Sequence, residues 1–239
     1  MPKSNRRAFL KAVGTVSATG VAAAVSPSAD AAAAQQPPSR TPLVALPAPS
    51  GYTFFTAPEA AFVEAAADRF IPADELTQSG SALGIATFVD RQLAGAWGSG
   101  DRMYMQGPWP KGSSSQGYQS PMTPAQFIRA GIAATNAYCR TTFQKEFDRL
   151  TVAQQVDVLR GLEQGTIALQ SVPAKEYFDL LLNAVMEGFF ADPIYGGNKD
   201  KASWKMIGFP GVIAVYAEHI KNYRNKRYDG APTSIADLS

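Results

Sequence analysis

Three threonines each begin a four-residue pattern that favours the first turn of an α-helix. Thr56-Ala-Pro-Glu59, Thr123-Pro-Ala-Gln126 and Thr151-Val-Ala-Gln154 place a threonine three residues before a glutamate or glutamine. In this arrangement, called a capping box, the two side chains satisfy backbone N–H groups that the first helical turn leaves unpaired. Each pattern precedes apolar residues that recur every three or four positions, so the sequence predicts three helices.

The spacing of apolar residues also predicts where the helices end. The first ends at Pro72, because proline cannot continue a helix; the second runs to about Phe147 and the third stops at Gly165. Two more helices are predicted over 82–93 and 175–190, the latter apolar on nearly every side and therefore central. No alternating β-branched run and no repeat is found. The predicted fold is all-α, an irregular helical bundle with long loops rich in aromatic residues, glycine and proline.

The first 34 residues are predicted to be a twin-arginine signal peptide. Basic residues come first, a weakly apolar run from position 8 to 25 follows, and small residues end the segment. An ordinary secretory signal with two adjacent arginines is the alternative, and a membrane span is disfavoured because polar residues and glycines dilute the run. The mature chain is therefore expected in the periplasm. The residues expected to form the export signal are Arg6, Arg7, Phe9 and Leu10.

Removing the leader changes the formal charge of the chain. Residues 1–34 contain four Lys and Arg and one Asp, so their loss takes the net charge from +2 to −1. A nearly neutral mature chain offers no electrostatic argument for binding nucleic acid or an anionic membrane. Residues 35–55 are predicted to be an extended Pro-rich arm, with 35–50 lying over a partner, and residues 56–239 a single helical domain.

The motifs of common catalytic and cofactor sites are missing. The chain has one cysteine and one histidine, which excludes a CxxCH haem site and an HExxH zinc site. Its glycines complete neither GxGxxG nor GxSxG. We therefore predict no catalytic, cofactor-binding or metal-binding residue in this chain.

Cys139 has no second cysteine with which to form an internal disulfide. Free cysteine behaves as a small apolar residue and is often fully buried. The alternatives are a buried thiol and a disulfide to another chain.

A long irregular segment lies between Gly95 and Met122. It contains glycines, serines and prolines together with four aromatic residues, namely Trp97, Tyr104, Trp109 and Tyr118. Loops of this length are uncommon in compact domains unless they have a function, such as binding a partner or a ligand. The aromatic residues either anchor a partner, as at many interfaces, or attach the loop to its own domain.

The segment GFFADPIYGGNKDKASWKMIGFPG, residues 188–211, is the most unusual part of the chain. Adjacent glycines permit positive φ angles, and large apolar residues follow on a backbone interrupted by Gly208 and Pro210. The alternative to an interface is a loop that packs back on its own core. The residues predicted to form or support an interface are Tyr195, Gly196, Gly197, Asn198, Trp204, Phe209 and Pro210.

The chain resembles the small subunit (subunit 3, or gamma subunit) of gluconate 2-dehydrogenase from about Phe55 to Gly211. The resemblance rests on ADPIYGGN, WKMIGFPG, the upstream helices around DRFIPAD and FVDRQL, and the twin-arginine leader. Ser203 departs from the family pattern, in which glycine more often precedes the tryptophan.

This resemblance implies a non-catalytic subunit of a membrane-associated, periplasm-facing dehydrogenase complex that oxidises gluconate or a related sugar or sugar acid. The large subunit of such complexes carries FAD, and a multi-haem cytochrome c subunit passes electrons to quinone. The small subunit supports folding and stability of the flavoprotein. The leader of the small subunit then exports both chains together. In such a heterodimer, Cys139 is a candidate for an intersubunit disulfide.

Two other classes of function remain at this point. One is a stand-alone periplasmic protein that binds a small molecule between helices, with the aromatic loop as a lid. The other is an enzyme whose acid and base residues the sequence does not locate.

Overall fold

The computed structural model describes residues 51–110, 112–113 and 116–238, and these residues form helices without a β-strand. The all-α prediction is confirmed. The α-helices are α1 (Ala57–Phe70), α2 (Ile85–Ala94), α3 (Ala96–Ser99), α4 (Pro124–Phe143), α5 (Val152–Glu163), α6 (Ala174–Phe190), α7 (Ala202–Ile207) and α8 (Ala217–Tyr223). Short 3₁₀ helices span Phe147–Arg149, Pro193–Tyr195, Lys199–Lys201 and Ile235–Leu238.

The three capping boxes begin α1, α4 and α5. The backbone N–H groups of Thr56, Thr123 and Thr151 each donate to the side chain three residues later, at 2.8, 2.9 and 3.0 Å. The hydroxyls of Thr123 and Thr151 accept in return from the backbone N–H of Gln126 and Gln154. The three predicted helix starts are therefore confirmed to the residue.

Two helix boundaries differ from the prediction, and one short helix was not predicted. Helix α2 starts at Ile85 instead of position 82, because Gly84 adopts a left-handed φ of 76°. The backbone of Gly84 lies close to that of Gly196, and a Cβ on Gly84 would be 2.6 Å from the Gly196 carbonyl oxygen. The long helix α4 ends at Phe143, four residues early, since Gln144 turns left-handed. A short helix, α3, lies inside the segment predicted to be a loop.

Helix α6 is the central element, as predicted, and it packs against α2, α4 and α5. Tyr177, Leu181 and Val185 lie fully inside the core. Gly131 of α4 allows this packing, because a Cβ there would lie 2.0 Å from the Tyr177 ring. Eight of the 17 residues of α6 are buried, while Met186 and Phe190, four residues apart, remain exposed.

A buried carboxylate fixes the chain just before α1. Asp90 of α2 is fully buried and accepts backbone hydrogen bonds from Thr53, Phe54 and Phe55 at 2.7–2.8 Å. Arg129 adds a bond to the Phe54 carbonyl and lies 4.1 Å from the centre of the Phe54 ring. Residues 51–55 of the predicted arm therefore lie against this domain.

The other N-terminal predictions fall on residues that the structure leaves undescribed. These are the leader over 1–34, with its export residues, and the arm over 35–50. Within the described part of the chain, no helix has the length and apolar character needed to cross a membrane.

Candidate subunit interface

The turn after α6 presents two apolar side chains to solvent. Asp192 starts the 3₁₀ helix by accepting from the Ile194 N–H at 3.0 Å, and its second oxygen accepts from the Ile235 N–H at 2.8 Å. Gly196 ends the 3₁₀ helix with φ 110°. Ile194 and Tyr195 are consequently exposed, Tyr195 to 50%.

Asn198 holds this turn to the next helix. Its side chain is buried, donates to the Ala191 carbonyl at 2.9 Å, and accepts from the Ser203 N–H and hydroxyl at 2.9 and 2.8 Å. Gly197 brings its backbone against α6, since a Cβ would lie 2.2 Å from the Gly188 carbonyl oxygen. The exposed Tyr195 is thus carried by a fixed backbone.

The segment that follows contains three non-glycine residues in the left-handed region. Asn198, Asp200 and Lys201 have φ angles of 49°, 58° and 57°. Such conformations cost free energy and persist only where the surroundings enforce them. An ion pair of 2.6 Å between Lys201 and Asp237 helps to do so, and it holds the pKa of Asp237 below its usual value together with the Ser234 N–H.

Trp204 is a buried support of the loop instead of an exposed anchor. It is 4% exposed, its indole N–H donates to the Phe190 carbonyl at 2.9 Å, and its ring meets the edge of Phe209 at a centroid distance of 5.2 Å. Phe209 is half-buried and stacks on Tyr216. The half-buried Pro210 accepts a hydrogen bond from the Thr233 N–H at 3.0 Å.

The predicted interface residues therefore lie together in one loop but differ in exposure. Tyr195 faces solvent, whereas Gly197, Asn198 and Trp204 are inside. The alternative of a loop packed on its own core describes these buried members well. The buried members could only support an interface, so of the predicted residues only the exposed ones are available for contact with a partner.

Further exposed apolar residues lie in the same C-terminal part of the chain as this loop. Of the thirteen large apolar side chains that are exposed among the described residues, ten lie between Met186 and Leu238. Clustered exposed apolar residues mark interaction surfaces more reliably than scattered ones do. The exposed residues that the sequence reasoning missed are Met186, Phe190, Ile194, Ile207, Val215, Tyr216, Ile220, Ile235 and Leu238. For Met186 and Phe190, four apart on one helix, the helical periodicity was a usable signal.

The environment of Cys139 favours the buried-thiol alternative. The residue lies in the core with no exposed surface, and burial raises the pKa of its thiol to about 12. A disulfide to another chain would require this part of the core to open first.

The aromatic residues of the loop between Gly95 and Met122 differ in exposure. Trp97 and Tyr118 pack against the core, and the Tyr118 hydroxyl donates to the Met122 carbonyl at 2.6 Å. Tyr104, by contrast, is 79% exposed. The loop is thus attached to its own domain at both ends, and Tyr104 is left on the surface.

Among the described residues, no three or more His, Cys, Asp or Glu side chains come together in a way that could hold a metal ion. One open groove of about 620 Å³ lies beside α8, lined by tyrosines, isoleucines and basic residues. A second cleft, of about 380 Å³, lies between the segment 75–78 and the start of α7. Neither cleft includes Trp97, Tyr104, Trp109 or Tyr118, the aromatic residues of the loop expected to form a lid over a small molecule.

Comparison with known proteins identifies a family. No curated protein and no solved structure matches the chain. The model of the family described as gluconate 2-dehydrogenase subunit 3 matches residues 57–211. These residues run from the start of α1 to the end of the segment 188–211, which contains the predicted interface residues and is called the interface loop. This match covers more than half of the 239 residues and contains every helix except α8 and the last 3₁₀ turn. The chain therefore belongs to the gluconate 2-dehydrogenase subunit 3 family.

Proposed function

We propose that this chain is the non-catalytic subunit that binds, stabilises and co-exports the FAD-containing large subunit of a gluconate dehydrogenase, or of a dehydrogenase for a related sugar or sugar acid. Membership of the family makes the chain a subunit of a multi-subunit dehydrogenase complex. The escort role, the flavoprotein and the export route are the parts of the proposal that go further.

One observation carries this proposal: Tyr195 is half exposed on a backbone that Asn198 holds rigid. Aromatic residues on fixed backbone make strong interface anchors, because little conformational freedom is lost when they bind. Ile194 extends the same apolar surface, and Met186 and Phe190 at the end of α6 are exposed nearby in the chain. A rigid apolar surface suits a permanent partner better than a transient one.

The leader supplies the argument for co-export. Arg6 and Arg7, followed by Phe9 and Leu10, fit the twin-arginine route, which accepts proteins that are already folded. FAD must be loaded before crossing if the flavoprotein travels without a leader of its own. The mature complex would then lie in the periplasm, associated with the inner membrane and passing electrons to a multi-haem cytochrome c subunit.

The test is co-expression of the full chain with the flavoprotein subunit and purification from the periplasm through a tag on this chain. We expect a complex that has the absorption spectrum of FAD and oxidises a sugar acid with an artificial acceptor. Replacing Arg6 and Arg7 by lysine should remove flavin and activity from the periplasm. The matched control replaces Lys3 and Lys11 by arginine, which keeps the charge and leaves the arginine pair intact.

Two results would contradict the proposal. If the flavoprotein reaches the periplasm in cells that lack this chain, the chain is not needed for its export. A colourless monomer that ignores the flavoprotein would favour a stand-alone periplasmic binding protein instead.

A further inference from the structure

Positive charge is concentrated in one late segment of the chain. Residues 199–228 contain seven Lys and Arg against two Asp and Glu, a net charge of +5. Residues 51–198 contain ten Lys and Arg against fifteen Asp and Glu, a net charge of −5. Asp229 and Asp237 follow this segment, and Asp237 pairs with Lys201, so residues 199–238 together keep a net charge of +3. An excess of positive charge attracts anionic groups over distances of about 10 Å.

The fold shapes part of this positive segment into a groove. Helix α8 and the chain after it lie beside the end of α7 and enclose an open groove of about 620 Å³. No aspartate or glutamate lines this groove. Both apolar and basic side chains line it, among them Ile207, Tyr216, Ile220, Arg224, Lys226 and Arg227.

The floor and one end of the groove are fixed within the protein. The rings of His219, Tyr223 and Tyr228 contact one another at centroid distances of 5.0–6.1 Å. Arg227 donates to the carbonyl groups of Lys205 and Met206 at 3.1 and 2.9 Å, which ties the groove to the C-terminal end of α7. A groove that is already formed costs little free energy to order when a ligand binds.

Two basic and two apolar side chains of the groove are left exposed. Arg224 and Lys226 are exposed and make no ion pair with any described residue. Ile207 and Ile220 are 53% and 68% exposed. An occupant that completes these groups has carboxylates for the two cations and apolar side chains for the isoleucines and tyrosines.

The groove also lies mostly outside the part of the chain that matches the family. The match ends at Gly211, whereas α8 and the basic residues after it span 217–227. The groove is therefore largely separate from the predicted interface residues, sharing only Pro210 with them.

We propose that this groove binds an acidic segment of the partner dehydrogenase subunit that carries both carboxylates and aliphatic or aromatic side chains. The inference rests on the proposed function, which supplies the partner protein. The concave form of the groove fits an extended peptide, whereas a flat lipid surface would contact only its rim. Charge pairs at the rim of an interface act mainly on association rate and salt dependence.

The test compares two double charge reversals in the full chain, co-purified with the flavoprotein subunit. The groove variant is Arg224→Glu with Lys226→Glu. The matched control is Arg102→Glu with Lys145→Glu, which changes the same charge at exposed positions after α3 and after α4 that likewise make no ion pair with a described residue. Affinity is measured in 50 mM and 500 mM salt, and circular dichroism verifies that both variants are folded.

We expect the groove variant to bind the flavoprotein about 10- to 100-fold more weakly at low salt, with a smaller salt dependence, and the control to bind like the wild type. Equal affinity and equal salt dependence for the groove variant and the control would overturn the inference while leaving the subunit role in place. A wild-type chain that does not bind the flavoprotein at all would overturn both. Sedimentation of the wild type, but not of the groove variant, with phosphatidylglycerol vesicles, together with unchanged flavoprotein binding, would assign the groove to lipid and also overturn the inference.

Discussion

Asn198 and Ser203 are joined by two hydrogen bonds, one from the Ser203 backbone N–H at 2.9 Å and one from its hydroxyl at 2.8 Å. Both side chains are fully buried. Asn198 also donates to the carbonyl of Ala191, the residue that follows α6, so one amide side chain connects the end of α6, the exposed turn and α7. The position of Tyr195 depends on this connection.

Replacing Asn198 by alanine should lower the free energy of unfolding by about 2–4 kcal/mol, because buried backbone and hydroxyl groups lose their partners. Urea denaturation measures this change. Asn225→Ala is the matched control, since Asn225 has a similar φ of 59° but is exposed. It should cost about 1 kcal/mol, the price of the left-handed backbone alone. Equal losses in the two variants would show that the hydrogen bonds of Asn198 contribute nothing.

Tyr195→Ala and Trp204→Ala should separate binding from stability. Tyr195 is half exposed, so its removal should weaken binding to the flavoprotein about tenfold or more while leaving stability within about 0.5 kcal/mol. Trp204 is buried, and its removal should lower the free energy of unfolding by about 3–5 kcal/mol. Affinity is measured by titration calorimetry and stability in urea. Unchanged affinity for Tyr195→Ala would remove this residue from the interface.

Cys139 should resist alkylation in the folded protein. The thiol is buried and its pKa is raised to about 12, so the reactive thiolate is scarce at pH 8 and has no access to reagent. Iodoacetamide should label the residue fully in urea and hardly at all without it, as mass spectrometry can determine. Non-reducing gels of the complex should show separate chains. A reductant-sensitive band that disappears in Cys139→Ser would instead establish the intersubunit disulfide.

The contact between Lys201 and Asp237 should make the last 3₁₀ turn sensitive to acid. The hydrogen bond from Lys201 lowers the pKa of Asp237 below its ordinary value of 3.8. The stabilising contribution is therefore fully present above pH 3.8 and is lost as the pH falls through the lower folded pKa. Asp237→Asn should be less stable than the wild type in urea at pH 6, and the difference should shrink below pH 3.8.

Asp200→Asn is the control for this experiment, because it removes a negative charge from the same region where no ion pair among the described residues involves it. The difference in the free energy of unfolding between pH 6 and pH 3 should be the same for Asp200→Asn as for the wild type. A pH dependence that is the same for wild type and Asp237→Asn would contradict the assignment of the effect to this carboxylate.

Features that depend on neighbours in the chain were predictable from the sequence. The capping boxes at Thr123 and Thr151 begin helices because side chain and backbone lie within three residues of each other. The glycines after Tyr195 likewise indicated the turn that Gly196 forms. The family was also identifiable, because the ADPIYGGN and GFPG segments are continuous stretches of sequence.

The tertiary structure decided which residues are exposed. Tyr195 and Trp204 are both large aromatic residues in one loop, and their order in the sequence does not reveal that Trp204 is buried by donating to the Phe190 carbonyl while Tyr195 remains at the surface. The basic residues of 199–228 were visible as a composition, but the groove forms where Tyr228 returns to contact His219 and Arg227 binds the carbonyl groups of Lys205 and Met206. The sequence by itself determined the helices and turns, whose interactions span a few residues, whereas the exposed surface and the groove arise from packing between distant segments.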